Sequence, residues 1–111
     1  MNKKIEFNYE GVDYTLEYNR EAVEFMENNG LRIKEIQEKP LTMVGILWKG
    51  AFYKNHSKEK LDKVQEIYDN IPNKSDLNAA LTNMFYETYA VLIGDSDEKE
   101  NNSKNIKWKM S

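Results

Sequence analysis

Cysteine is absent from the 111 residues of this chain, and histidine occurs only once. The absence of cysteine excludes disulfides and thiolate chemistry, and it fits a reducing compartment. The chain also lacks the run of about 20 apolar residues that a membrane-spanning helix needs. Its first residues show no apolar segment of the kind that secretory signals carry. We therefore expect a cytoplasmic protein that does not enter a membrane.

Neither sign of charge dominates, because 16 basic residues are interspersed with 19 acidic ones and the net charge is −3. A protein whose main partner is nucleic acid would carry a basic stripe for the phosphates. Apolar residues make up 40% of the chain and aromatic residues 12%. This composition predicts one globular domain with a single core and argues against a disordered chain.

The N-terminal residues show the clearest local pattern in the chain. Apolar and polar side chains alternate over residues 5–9 and again over 12–18, with the dipeptide Glu10–Gly11 between them. A two-residue loop that contains glycine is typical of a β-hairpin turn. Pairing Tyr9 with Val12 places the apolar side chains of both strands on one face. The sequence therefore predicts an antiparallel hairpin in this register.

Helical spacing, cap residues and stop residues predict four helices after the hairpin. They cover residues 20–29, residues 40 to about 54, a helix capped by Ser57 and ended by Pro72, and a helix from Asn73 or Ser75 to Gly94. Residues 31–39 fit either a short extended segment or one helical turn. The fold class is therefore α+β, with the hairpin packed on three or four helices.

The predicted domain covers residues 1–94. Residues 95–104 contain no apolar side chain, so we predict a mobile acidic loop there. Residues 105–111 alternate between apolar and basic side chains, as a strand does, and we expect this segment to return to the open edge of the hairpin. That edge could instead accept a strand from a partner.

One segment is far more apolar than the rest of the chain. Residues 41–53 carry a single charge, on Lys49, whereas 32% of all residues are charged. Because apolar groups point all round such a helix, the rest of the fold or another protein must surround it. Gly45 and Gly50 lie within it, where they would allow a close helix crossing or a kink.

Few residues in the sequence point to chemistry. His56 is flanked by Asn and Ser between two predicted helices, where a capping or surface role is commoner than catalysis. The carboxylates at 95–100 lack the glycine and the spacing of a calcium loop, so they indicate a solvated segment rather than a cation site. No base partner is identifiable for Ser57 or Ser75. We predict no enzyme activity, no cofactor and no metal.

A surplus of large apolar side chains, mostly aromatic, is the main candidate for partner binding. The candidates are Leu47, Trp48, Phe52 and Tyr53 on the apolar helix and Tyr86 and Tyr89 on the last helix. The apolar stripe from Leu77 to Leu92 already supplies the core face of the last helix, so Tyr86 and Tyr89 fall beside it. Aromatic residues in such positions are enriched at interfaces. The alternative is that all six complete a thick core.

Four stretches also carry a resemblance to a known family. They are FNYEGVDYTLEYNREAVEFMENNG (7–30), EKPLTMVGILWKGAFYKNH (38–56), IYDNIPNK (67–74) and IKWKM (106–110). In these stretches, in this order, the chain resembles the tail assembly chaperones of siphophages and prophages of Gram-positive bacteria. The resemblance covers nearly the whole chain, and none of its stretches is a catalytic signature.

The resemblance implies a non-enzymatic assembly factor. Such chaperones coat the tape measure protein, keep its apolar helices soluble and help recruit tail tube protein. In many of these phages a programmed frameshift also produces a longer form. A weak homo-oligomer fits this role. The alternatives are a structural tail component, such as a tail terminator or head–tail connector, and a small enzyme or nucleic-acid regulator.

Overall fold

The computed structural model describes residues 3–94, which form a hairpin packed with six helices. The elements are β1 (Ile5–Tyr9), β2 (Val12–Leu16), α1 (Arg20–Asn28), α2 (Glu35–Glu38), α3 (Pro40–Ala51), α4 (Tyr53–His56), α5 (Leu61–Asn70) and α6 (Lys74–Ile93). The α+β prediction is confirmed. The predicted loop at 95–104 and strand at 105–111 lie outside the described residues.

The hairpin has the predicted register, with Tyr9 paired to Val12 and Phe7 paired to Tyr14. Glu10 and Gly11 both adopt positive φ, at 52° and 85°. Positive φ at both central residues defines a type I′ turn, whose twist matches that of the two strands. The register and the turn chemistry therefore agree, as the alternation of side chains predicted.

Helix α3 lies at the centre of the fold, where it contacts α1, α2, α5 and α6. The described chain therefore surrounds most of the apolar segment by itself. A Cβ placed on Gly50 would collide with Cγ and Sδ of the buried Met26 on α1. The same atom on Gly45 would meet nothing within 4 Å. Gly50 thus permits a close crossing of α1 and α3, which was one of the two predicted roles.

The apolar helix ends three residues earlier than predicted, at Ala51 rather than near Lys54. Phe52 separates it from the short helix α4, and the Phe52 side chain is buried. Helix α4 contacts β2 of the hairpin.

Side chains of α4 bind the outer edge of β2. The Asn55 Nδ2 group donates to the Thr15 carbonyl at 3.1 Å, and the Thr15 N–H donates to His56 Nε2 at 3.0 Å. An exposed strand edge leaves such backbone groups unpaired. His56 is therefore neither a helix cap nor a free surface residue, because it satisfies a backbone donor of the sheet.

The helix boundaries confirm some of the predicted caps and correct others. The Asn19 side chain accepts a bond from the Ala22 N–H at 2.8 Å, as predicted for the N-cap of α1. Ser57 does not cap α5, because that helix begins only at Leu61. Asn73 precedes α6 in a left-handed conformation without a side-chain cap bond, and Gly94 ends the helix as predicted.

The segment between α1 and α3 contains one short helix, α2, so the second of the two interpretations of residues 31–39 is correct. On α6 the predicted stripe faces the core: Leu77, Leu81, Met84 and Phe85 are buried. None of the helices within residues 3–94 is long and apolar enough to cross a membrane.

A hydrogen bond joins the hairpin to α5. The Tyr9 hydroxyl donates to the Glu66 carboxylate at 2.7 Å. This bond stabilises the protonated phenol and the ionised carboxylate together. It raises the pKa of Tyr9 to about 12 and lowers the pKa of Glu66.

Candidate functional site

The six predicted partner-binding residues divide between the core and the surface. Leu47, Trp48 and Phe52 are at most 2% exposed, whereas Tyr53 and Tyr86 are each 37% exposed and Tyr89 is half-buried. For the first three, the alternative that they complete a thick core matches the structure. Tyr53, Tyr86 and Tyr89 remain accessible to a partner.

The contacts of Trp48 show why these side chains are buried in the core. Its buried indole N–H donates to the Val64 carbonyl of α5 at 2.8 Å, which satisfies the only polar group of the side chain. Its ring meets Phe52 and Tyr68 edge-on, with centroids 5.0 and 5.4 Å away. Edge-to-face pairs of this kind add to the free energy of simple burial. Trp48 therefore fixes α3 against α5 and presents nothing to a partner.

An apolar cleft of about 360 Å³ lies between α1, α3, α4 and α5. We call it the aromatic groove, and its apolar lining consists of Phe25, Ile46, Phe52, Tyr53, Leu61 and Val64. Phe25 and Tyr53 stack with their ring centroids 4.9 Å apart and form one wall. Leu61, at the start of α5, is 63% exposed. The groove thus joins a buried floor to an accessible apolar rim.

Two of the polar side chains that line the aromatic groove, His56 and Glu59, form hydrogen bonds with the hairpin, whereas Lys49 places a cation at the groove. His56 accepts the Thr15 N–H, and the Glu59 carboxylate accepts the Tyr14 hydroxyl at 3.0 Å. No group of three or more His, Cys, Asp or Glu side chains within residues 3–94 could hold a metal ion. The arrangement suits the binding of an apolar side chain.

The comparisons with known proteins give one result at the level of the family. The family described as "Domain of unknown function (DUF5055)" matches residues 1–111. The chain belongs to this family. No curated protein matches the chain, and no solved structure matches it.

A second apolar surface runs along the outside of α6. Helix α6 has 20 residues, of which only Lys74, Asp76 and Glu87 are charged. Five exposed residues share its outward face, and we call them the α6 seam: Ala79, Asn83, Tyr86, Ala90 and Ile93. Beside the N-terminal end of the seam lies the α3–α6 groove, a cleft of about 390 Å³ whose lining includes Leu41 and Val44.

Sequence reasoning did not identify the most exposed apolar residues of the aromatic groove, the α6 seam and the α3–α6 groove. Leu41 is 90% exposed, Ile93 is 67% exposed and Leu61 is 63% exposed. The scarcity of charge on α6 was a readable signal, because a surface helix normally carries a charged outward face. Leu61 had no comparable signal, since its position first on α5 fits either face.

Proposed function

We propose that this protein is a phage tail assembly chaperone that binds apolar helical segments of the tape measure protein in the host cytoplasm. The chaperone would also assist assembly of the tail tube protein. The collinear resemblance over the four stretches quoted above motivates the proposal. The observation that carries it is the aromatic groove, with its accessible apolar rim.

The groove suits a helical partner. An amphipathic helix presents apolar side chains at intervals of three and four residues, and such side chains anchor it in an apolar groove. Tyr53 and Leu61 are the exposed apolar residues of its lining, and Phe52 and Val64 are its buried ones. One or two apolar side chains from the partner would fill this space without repacking the core.

The limited size of the groove predicts weak binding at each site. Stable protein interfaces involve about 20–30 residues on each partner, whereas 11 residues line the groove. A long tape measure helix that carries many apolar segments would bind several copies. Each copy could then leave as tail tube protein replaces it, as a transient chaperone requires.

Co-expression tests the proposal. The tape measure protein of the same genome is expressed with and without this chain, and soluble tape measure protein and the copies bound to it are measured. Leu61→Asp should weaken each contact about tenfold, because burying a leucine contributes at least about 1.5 kcal/mol. Val12→Asp is the matched control, since Val12 is 49% exposed and lies outside both grooves.

Rescue of solubility by the wild type and by Val12→Asp, but not by Leu61→Asp, would support the proposal. Absence of any binding, or equal rescue by both variants, would contradict the assignment to the aromatic groove. Purified virions supply a second check. A stoichiometric copy number there would favour the structural tail component over the chaperone.

A further inference from the structure

The α6 seam has the spacing of a coiled-coil interface. Its five exposed residues follow one another at intervals of four, three, four and three, which is the spacing of the contact positions in a heptad repeat. The seam points away from the core stripe on the same helix. Because a surface helix normally carries charge on its outward face, an exposed face with this period and without charge is suited to packing against a second helix.

The seam is complementary to itself when two copies run antiparallel. With Tyr86 on the two-fold axis, Ala79 of one copy faces Ile93 of the other, and Asn83 faces Ala90. A small residue thus lies opposite a larger one at each of these pairs. Alanines also let two helix backbones approach closely. A parallel arrangement would instead place Ala79 against Ala79 and Ile93 against Ile93, which leaves gaps at one end.

The α3–α6 groove extends this complementarity beyond the helix pair. The groove lies at Ala79, and Leu41 and Val44 stand beside it. In the antiparallel arrangement Ile93 of the second copy would enter this groove. Leu41 and Ile93, the two most exposed large apolar side chains of residues 3–94, are 90% and 67% exposed. Each would therefore cover the other.

The charges near the seam permit this contact. Among the charged residues of α6, Glu87 lies closest to the two-fold axis, where Glu87 of the second copy would approach it. The Lys3 ammonium pairs with the Glu87 carboxylate at 3.0 Å, which offsets the repulsion. Antiparallel helices also align their dipoles favourably, since opposite partial charges meet at each end.

We propose that two copies of this chain associate through their α6 seams as an antiparallel, two-fold symmetric dimer. The occupant of the α3–α6 groove is Ile93 of the second copy. The seam spans about 21 Å of helix and contributes five residues from each copy, whereas a stable interface involves roughly 20–30 residues a side. The dimer is therefore weak and depends on protein concentration. The dimer requires no other partner, so its test does not depend on the proposed chaperone role.

Sedimentation of the full chain over a range of concentrations measures the association. The wild type should shift from monomer to dimer as its concentration rises. Leu41→Asp and Ile93→Asp should each raise the dissociation constant at least tenfold, because each would bury a carboxylate in the α3–α6 groove. Val12→Asp is the matched control, since Val12 is 49% exposed and lies on the hairpin, outside the seam and both grooves. Circular dichroism confirms that all four proteins remain folded.

Disulfide trapping tests the register, and the absence of native cysteine makes single-cysteine variants unambiguous. A disulfide needs Cα atoms within about 7 Å of each other. Tyr86→Cys should therefore cross-link to itself under oxidation. Ala79→Cys should not, but it should cross-link to Ile93→Cys when the two variants are mixed.

A concentration-dependent dimer that Leu41→Asp and Ile93→Asp weaken, with the predicted cross-links, would establish the proposal. Three results would each overturn it: a wild type that stays monomeric up to about 1 mM, a dimer as strong in both aspartate variants as in the control, or self-linking by Ala79→Cys.

Discussion

The two glycines of α3 offer the sharpest test of the packing. Both lie inside the same helix, and replacing glycine by alanine in a helix interior gains about 0.8–1.0 kcal/mol of stability. The structure separates them by what a new methyl group would meet. Gly45 faces open space, whereas Gly50 faces Cγ and Sδ of Met26. We therefore expect Gly45→Ala to raise the free energy of unfolding by about 1 kcal/mol.

Gly50→Ala should not stabilise the protein, because a steric cost offsets or exceeds the same gain in helix propensity. The contacting atoms belong to the middle of the Met26 side chain, and Met26 is fully buried, so it has little space into which to move. Overpacking of a core costs about 1–3 kcal/mol. The difference between the two variants should therefore be about 1–3 kcal/mol, and it isolates the Met26 contact because both share the same gain in helix propensity.

A double-mutant cycle identifies the cause. Met26→Ala alone should cost about 2–5 kcal/mol, because it leaves a cavity in the core. In that background the new methyl group at position 50 has space, so adding Gly50→Ala should stabilise the protein, as Gly45→Ala does. Urea unfolding with a common slope gives the four free energies. Each 1 kcal/mol should also shift the melting temperature by about 4–8 °C.

Equal stabilisation by Gly45→Ala and Gly50→Ala would refute this reasoning. It would mean that Met26 repacks without cost and that α1 and α3 are not held at a glycine-dependent distance. Destabilisation by Gly50→Ala that persists unchanged in the Met26→Ala background would also refute it, because the strain would then have another source.

Two further predictions follow from the core and from the sheet edge. Trp48→Ala should lower the free energy of unfolding by about 3–5 kcal/mol, because it removes a large buried ring and its hydrogen bond to the Val64 carbonyl. Urea titration measures this loss, and a loss below about 1 kcal/mol would contradict the role of Trp48 in the core. The Asn55 hydrogen bond to Glu17, followed by the pairing with Lys54, holds the pKa of this carboxyl below its ordinary value of 4.5. A lowered pKa contributes stability that is present above pH 4.5 and is lost as the pH falls through the folded-state value. Asn55→Ala should therefore reduce the loss of stability in urea titrations between about pH 5 and pH 2, and an unchanged pH profile would contradict this assignment.

Local sequence patterns determined the elements that form through contacts between residues close together in the chain. The hairpin register follows from the alternation of side chains and from one two-residue turn, so a one-residue shift would expose every apolar group. The start of α1 follows from the Asn19 cap, and the core stripe of α6 follows from helical spacing. The α+β class rests on these short-range signals.

Only the tertiary structure decided which apolar side chains face water. The segment 41–53 is apolar on all sides, so its sequence could not distinguish the buried Trp48 from Leu41, which is 90% exposed. That choice depends on which helices lie against α3, and these contacts join residues far apart in the chain. The same reason explains why position 50 requires glycine: Met26, on another helix, occupies the space that a side chain would need.

The break at Phe52 also belongs to the tertiary structure. The local sequence does not indicate that α4 binds the sheet, because the partner of Asn55 and His56 is Thr15, some 40 residues earlier in the chain. The unpaired backbone groups at the edge of β2 can bond to α4 only when the hairpin and α4 are close together in space. The candidate surfaces arise in the same way: the sequence supplied Tyr53 and Tyr86, and the packing of helices around them formed the grooves.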